Sequence, residues 1–338
     1  MTNKAFNWEI LSLTRFLLAF VVLLSHLKSF TNIGILKYFG AFGAFEAILG
    51  FLLISGLSIG KSISKNQESY FKRRIQRIYP VYLASIIFTY IVFPQYFTFT
   101  FLGTLLLNLV FLNQVLTSTS YVGPAWTLAV EVWLYALAPY FLKLSLKKLY
   151  ILILISFISY CIYTGGRTLF HWNYYAGTQY GINLLLLAFI WIAGFALAIY
   201  PENKKHISLT ILAMFIVHLV MTISIQILFR YKHHELALIV PVDLLGFIGK
   251  SICLSWVYYV VLHNHKVPVL SSTTNAVFNT LGNISYPLYL VHATVLKLLI
   301  RWNINNAALM IVISIIFSYL IYLIFDFYSK KRVQKYAV

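Results

Sequence analysis

Acidic residues are the scarcest chemistry in this chain. Only 8 of its 338 residues are Asp or Glu, and charged residues of all kinds make up 10%, against roughly a quarter in a soluble domain. With 61% hydrophobic residues and a mean hydropathy of +0.83, the composition excludes an ordinary soluble globule and points to an integral membrane protein. Cysteine is nearly absent. Cys161 and Cys253 each lie inside an apolar run, where a thiol packs as a small hydrophobe, so neither a disulfide framework nor a metal site is expected. No stretch is polar enough for a soluble domain, no tract rich in Pro, Gly or Ser marks a linker, and no internal repeat is visible. Residues 1–338 therefore read as a single membrane domain with no appended soluble domain. The first apolar run has no small-residue cleavage site after it and reads as a retained span rather than a signal peptide.

What is present is basic. Lys and Arg number 26, for a net charge of +18, which would suit nucleic acid, but most of these residues fall in short loops between apolar runs. That is the orientation signal of a membrane protein, so lipids and not nucleic acid are the expected partners. Ten apolar segments are expected to span, at 9–27, 41–60, 78–97, 125–142, 149–164, 181–199, 208–229, 238–262, 284–300 and 307–327. An eleventh, 101–116, decides the topology. Lys61, Lys65, Lys72, Arg73, Arg74 and Arg77 mark one loop as cytoplasmic, and Lys330, Lys331, Arg332 and Lys335 mark the C-terminus. Lys143, Lys147 and Lys148, then Lys204 and Lys205, then His263, His265 and Lys266 join them on the inside only if 101–116 fails to cross. The expected fold is all-α: a polytopic bundle of about ten transmembrane helices plus one re-entrant or interfacial helix, with both termini cytoplasmic.

Ionisable groups at membrane depth cost several kcal/mol unless paired or hydrated, so each is a functional candidate. Arg15 and His26 close the run RFLLAFVVLLSH. At about 100° per residue their spacing comes to about 1100°, three turns plus roughly 20°, so one helix face carries both, about 16 Å apart. The plainer alternative has Arg15 snorkelling to the inner interface and His26 marking the outer one. Glu131, in WTLAVEVWLY, reads as level with His26 and needs a cationic or hydrogen-bonding partner, of which an Arg or Tyr in a structural pair is one. Glu46 is a second acid near the outer end of its span, catalytic or merely interfacial. His292, in ISYPLYLVHATV, is of a type more often packed and hydrogen-bonded than reactive, and Asp326 suggests an interfacial salt bridge with Lys330 and Lys331. In YFKRRIQRIYPVYL, Arg74 and Arg77 are three apart on one helical face beside Lys72 and Arg73, and Pro80 is expected to reset the chain direction. Paired guanidiniums suit phosphates, whether of a ligand or of lipid headgroups.

Taken in order, these segments resemble the bacterial membrane acyltransferases of acyltransferase family three, which acylate cell-surface carbohydrates. Arg15 and His26 fit its arginine, ten residues, histidine pattern. GFLLISG, Gly50 to Gly56, is similar to its phenylalanine-rich segment ending in Ser-Gly; Arg74 and Arg77 to its Arg-x-x-Arg; WTLAVE, Trp126 to Glu131, to its Trp-Ser-Leu-Ser-Val-Glu; and ISYPLYLVH, Ile284 to His292, to its Ser-Tyr-x-x-Tyr-Leu-x-His. The second phenylalanine is here Leu52, the two serines are Thr127 and Ala129, and Glu46 matches no position of the pattern. The resemblance implies a multi-pass protein of the bacterial cytoplasmic membrane that moves an acyl group, commonly acetyl, from cytoplasmic acyl-CoA to a hydroxyl of an extracytoplasmic glycan or lipid-linked saccharide, without a metal. It implies His26 as general base, or as the group that accepts the acyl itself, with Glu131 orienting it, Arg15, Arg74, Arg77 and Arg73 toward coenzyme A, and Trp126, Ser55, Tyr286 and His292 as supporting residues; Glu46 joins these by its depth alone. The rival reading is a transporter or flippase for a lipid-linked sugar, whose inverted repeats are not seen here. The aromatic loop FHWNYYAGTQY, residues 170–180, suggests an interfacial belt more than a sugar platform.

Overall fold

The structure, a computed structural model, describes residues 7–263 and 271–327. His265, Lys266, the basic group from Lys330 to Lys335 and the side chain of Asp326 lie outside that description. The described residues form helices α1 (Trp8–Leu27), α2 (Lys37–Gly40), α3 (Ala44–Lys65), α4 (Tyr70–Val92), α5 (Phe99–Leu109), α6 (Ala125–Phe141), α7 (Leu146–Leu169), α8 (Ile182–Ile199), α9 (Lys204–Lys232), α10 (Leu244–His263), α11 (Ser272–Arg301) and α12 (Ala307–Ile321). Among the described residues there is no strand, and nine helical segments are long and apolar enough to cross a membrane.

The one expected span not among these nine, 125–142, corresponds to α6, which has 17 residues, or about 26 Å, short of a hydrocarbon core of about 30 Å. It begins at Ala125, as expected, after an irregular segment, 110–124, that is partly packed inward, with Val122 fully buried. The segment expected not to cross is the 11-residue α5, about 16 Å long, capped by the Thr98 side chain on Phe101 N. After it the backbone turns through Phe111 and Gln114, both at positive φ. Non-helical backbone packed among apolar helices persists only where its polar groups find partners. Here Asn108 donates to the Thr104 and Thr119 carbonyls and accepts from Tyr121 N, while Gln114 donates to Ser118 O and Ala176 O and accepts from Asn183.

Pro80 does not reset the chain. It lies inside α4, which begins at Tyr70 and carries the basic cluster on its first turns. A proline removes one ladder hydrogen bond but can be held in a bundle by its neighbours. The helix ends at Val92, ahead of Phe93-Pro94, where the residue before proline is pushed out of the helical region.

The interior is set by close crossings. A methyl on Gly56 of α3 would overlap the Trp191 carbonyl oxygen of α8, and one on Gly194 would overlap that of Leu53, so small residues let the two backbones meet. Helices α1 and α11 run side by side in the same direction, Gly282 meeting Ser12 at one end and His292 meeting His26 at the other. Helix α3 runs against α1, with Gly50 on Leu18 and Ser58 on Arg15.

Candidate active site

One face of α3 organises the interior chemistry. Ser55, Ser58 and Ser62 follow one another at helical spacing of three and four residues. Ser58 accepts a hydrogen bond from Arg15 Nη2 at 2.5 Å, and Ser62 accepts one from Arg74 Nη2 at 2.8 Å. Ser55 accepts from Trp191 Nε1 at 3.2 Å and shares a hydrogen bond of 2.9 Å with the Tyr135 hydroxyl. Tyr135, one turn beyond Glu131 on α6, donates to the Glu131 carboxylate at 2.5 Å, with Ser55 Oγ 3.4 Å from the same oxygen.

These groups line a cavity of about 130 Å³ enclosed by α1, α3, α4, α6 and α11. Arg15, Arg74, Arg77, Glu131 and Tyr135 supply its polar wall, with Tyr286 and Tyr289 of α11 opposite. Three guanidiniums against one carboxylate make its field positive, which favours a polyanionic ligand. Arg77 is exposed at the open end, while Arg15 is half-buried farther in. At the other end Tyr289 shares a 2.6 Å hydrogen bond with Thr127 and packs edge-on against Phe51, ring centroids 5.5 Å apart.

Just past Tyr289, whose ring lies 6.3 Å from that of His292, stand two imidazoles. His292 Nδ1 is 2.9 Å from the Leu288 carbonyl oxygen, and His292 Nε2 is 2.9 Å from His26 Nδ1. A carbonyl only accepts, so Nδ1 of His292 carries a hydrogen. In a neutral ring Nε2 then holds the lone pair. His26 must therefore donate from Nδ1, which leaves the lone pair of His26 on Nε2. The chain Leu288 O, His292, His26 thus fixes both tautomers and presents a base.

Several expected roles change. Glu131 does not touch His26; its partners are Tyr135 and Ser55, and it shares its cavity with Arg15. The side chain hydrogen-bonded to His26 is His292. Arg73 turns away from the cavity and donates to the Asn66 and Glu68 carbonyls, closing the turn before α4. Glu46 is 3% exposed, pairs with His218 at 3.3 Å and lies 3.9 Å from Lys250, in a closed cluster apart from the cavity. Trp126 is buried with its ring edge-on to Tyr174 and outside the cavity wall, whereas its neighbour Thr127 is part of that wall. Tyr286 lines the cavity and donates to the Ile78 carbonyl.

Ser58, Ser62, Tyr135 and Tyr289 were not singled out from the sequence. The serine spacing on α3 and a tyrosine four residues after Glu131 were the available signals. In the aromatic loop, the Arg167 guanidinium lies 4.7 Å from the Tyr174 ring centre and 4.9 Å from that of Tyr175, which ties the loop to the end of α7. Among the described residues no group of three His, Cys, Asp or Glu is arranged to hold a metal ion.

Residues 8–325 match a family model described as an acyltransferase domain. Over 113 residues the chain is 36% identical to a protein of Acidianus two-tailed virus whose name marks it as a candidate acetyltransferase, an alignment covering 32% of this chain and 33% of the viral protein. No solved structure matches the chain.

Proposed function

Because this chain belongs to acyltransferase family three, we propose that it transfers an acyl group, acetyl in the simplest case, from cytoplasmic acyl-CoA to a hydroxyl of an extracytoplasmic glycan or lipid-linked saccharide. The membrane is the bacterial cytoplasmic membrane, with the basic mouth of the cavity on the cytoplasmic side. The observation that carries this reading is the sequence of groups along α1: a cavity holding three arginines, and a hydrogen-bonded His26 and His292 one side chain beyond its far end.

Arg77 and Arg74 meet the phosphates of coenzyme A at the mouth, where charge-assisted hydrogen bonds position the donor. Arg15, held by Ser58, meets the donor deeper in. Glu131, fixed by Tyr135 and Ser55, offsets part of the arginine charge and so keeps the three cations from repelling one another apart. Tyr289 lines this cavity with its ring 6.3 Å from that of His292, the partner of His26, and on this reading its ring turns aside as the thioester passes. His26 Nε2 then takes the proton of the acceptor hydroxyl. The acceptor oxygen bonds to the thioester carbonyl carbon, the carbon–sulfur bond breaks, and the departing thiolate recovers the proton from His26. His292 keeps the His26 ring oriented and accepts the hydrogen bond of its Nδ1–H throughout.

The test is acetyl transfer from labelled acetyl-CoA by the purified protein in lipid nanodiscs. Turnover falls about 10²- to 10⁴-fold in His26→Ala. Retained turnover in that variant contradicts the general-base assignment. Absence of acetyl-CoA binding by the wild-type protein contradicts the donor.

A further inference from the structure

A second, wider cavity of about 690 Å³ lies between the end of α4, the start of α5, the returning segment at 119–121 and α11. It reaches the stretch of α11 that carries His292: Thr89, in its wall, shares a 3.0 Å hydrogen bond with Thr294 of that helix. Arg301 donates to the Val92 carbonyl and ties the same two helix ends together farther out. Its chemistry differs from that of the arginine cavity. Eight of the twelve lining residues are Thr, Ser or Tyr, joined by Gln95, two phenylalanines and Lys297. Burial and the neighbouring Tyr90 push the Tyr121 hydroxyl up, so it serves as a neutral hydrogen-bonding group. A wall of hydroxyls and aromatic faces is complementary to a saccharide.

Lys297 is the one charged residue among those twelve. Residues 78–130, which supply the rest of the wall, contain no Asp, Glu, Lys, Arg or His. Among the described residues no carboxylate forms an ion pair with Lys297. Lys297 lies five residues past His292 on α11, about 7.5 Å along the helix axis, and His292 is the hydrogen-bond partner of His26. Whatever charge preference this cavity has is therefore set by a single cation beside the base.

We propose that this cavity holds the acyl acceptor and that Lys297 selects an acceptor carrying an anionic group, a carboxylate or a phosphate, near the hydroxyl to be acylated. The proposal rests on His26 being the base of the acyl transfer. A positive charge beside His26 opposes the imidazolium that forms when the hydroxyl is deprotonated. An anion seated on Lys297 removes that opposition while adding a charge-assisted hydrogen bond. Acidic acceptors gain in turnover as well as in binding.

The experiment uses the full chain in nanodiscs with acetyl-CoA and three probes: galactotriose, trigalacturonate and galactose 1-phosphate. At least one acidic probe is expected to exceed galactotriose in acceptor kcat/KM by about tenfold or more, and which acidic probe leads identifies the carboxylate or the phosphate. Lys297→Gln reduces that preference to about twofold or less, Lys297→Arg keeps it, and all three proteins bind acetyl-CoA alike. Equal or better use of galactotriose, or an unchanged preference in Lys297→Gln, overturns the proposal. Equilibrium binding of the same probes separates the two readings. If no probe is acylated but an acidic probe binds and is lost in Lys297→Gln, the cavity assignment stands and the acyl-transfer reading falls. If acylation proceeds with no dependence on acceptor charge, the reverse holds.

Discussion

Two carboxylates at membrane depth, each read from the sequence as an acid near the outer end of a span, occupy opposite kinds of environment. Glu46 is sealed in a cluster on α3, α7, α9 and α10, bonded to His218 Nε2, whose Nδ1 shares a 2.7 Å hydrogen bond with Tyr160; Tyr160 and His218 are each 1% exposed. Glu131 is bonded just as firmly, to Tyr135 and Ser55, but it opens on a cavity that also holds three arginines. A buried acid with a histidine partner looks more like catalytic machinery than one with a tyrosine. Here access reverses that ranking. His26, the histidine proposed as the base, has no carboxylate partner among the described residues and is hydrogen-bonded to another imidazole.

Variants sharpen this contrast. The largest expected effect is on turnover in His26→Ala, about 10²- to 10⁴-fold with little change in thermal stability. In His218→Ala the pattern inverts: Glu46 loses its partner in a closed interior, stability falls by about 3 kcal/mol, and the folded fraction keeps its acetyl-CoA affinity and kcat. Next comes the Arg74→Ala, Arg77→Ala double variant, expected to weaken donor affinity about 100-fold while leaving kcat at saturating donor within a few-fold. His292→Ala should lower kcat about 10- to 100-fold without changing donor affinity, because it frees the His26 ring to turn. The smallest effect belongs to Arg73→Ala, within about twofold in every kinetic constant, since its guanidinium closes a local turn. Steady-state kinetics with isothermal donor titration and thermal melts of the same preparations check all five. A severe donor defect in Arg73→Ala, or normal melting in His218→Ala, breaks the comparison.

The sequence was most informative where the physics is local. Helical periodicity alone put Arg15 and His26 on one face, charge asymmetry marked 101–116 as a segment that does not cross, and the arginine spacing on α4 identified both cavity arginines. It misled where the answer depended on how deep a helix begins. Counting residues from the start of α6 made Glu131 level with His26, but that helix follows a segment folded into the bundle, with Val122 and Ala125 fully buried. Glu131 therefore lies beside Arg15 and Ser55, a level deeper than expected. Nothing on one helix announces its neighbour, which is why His292 reads from its own segment as a packing residue and enters as a supporting one only through the family resemblance. Pro80 was misjudged for a related reason: α4 is held by its surroundings, whereas the rule for proline concerns an isolated helix.

The central claim is that a donor entering from one side of the membrane meets an acceptor from the other at His26. Reconstituted vesicles with acetyl-CoA on the basic face only and an acceptor saccharide on the opposite face only test it most directly. The account predicts acetylated saccharide on the acceptor side, with free coenzyme A returned to the donor side. Acetylation that occurs only when both substrates share one face would contradict it.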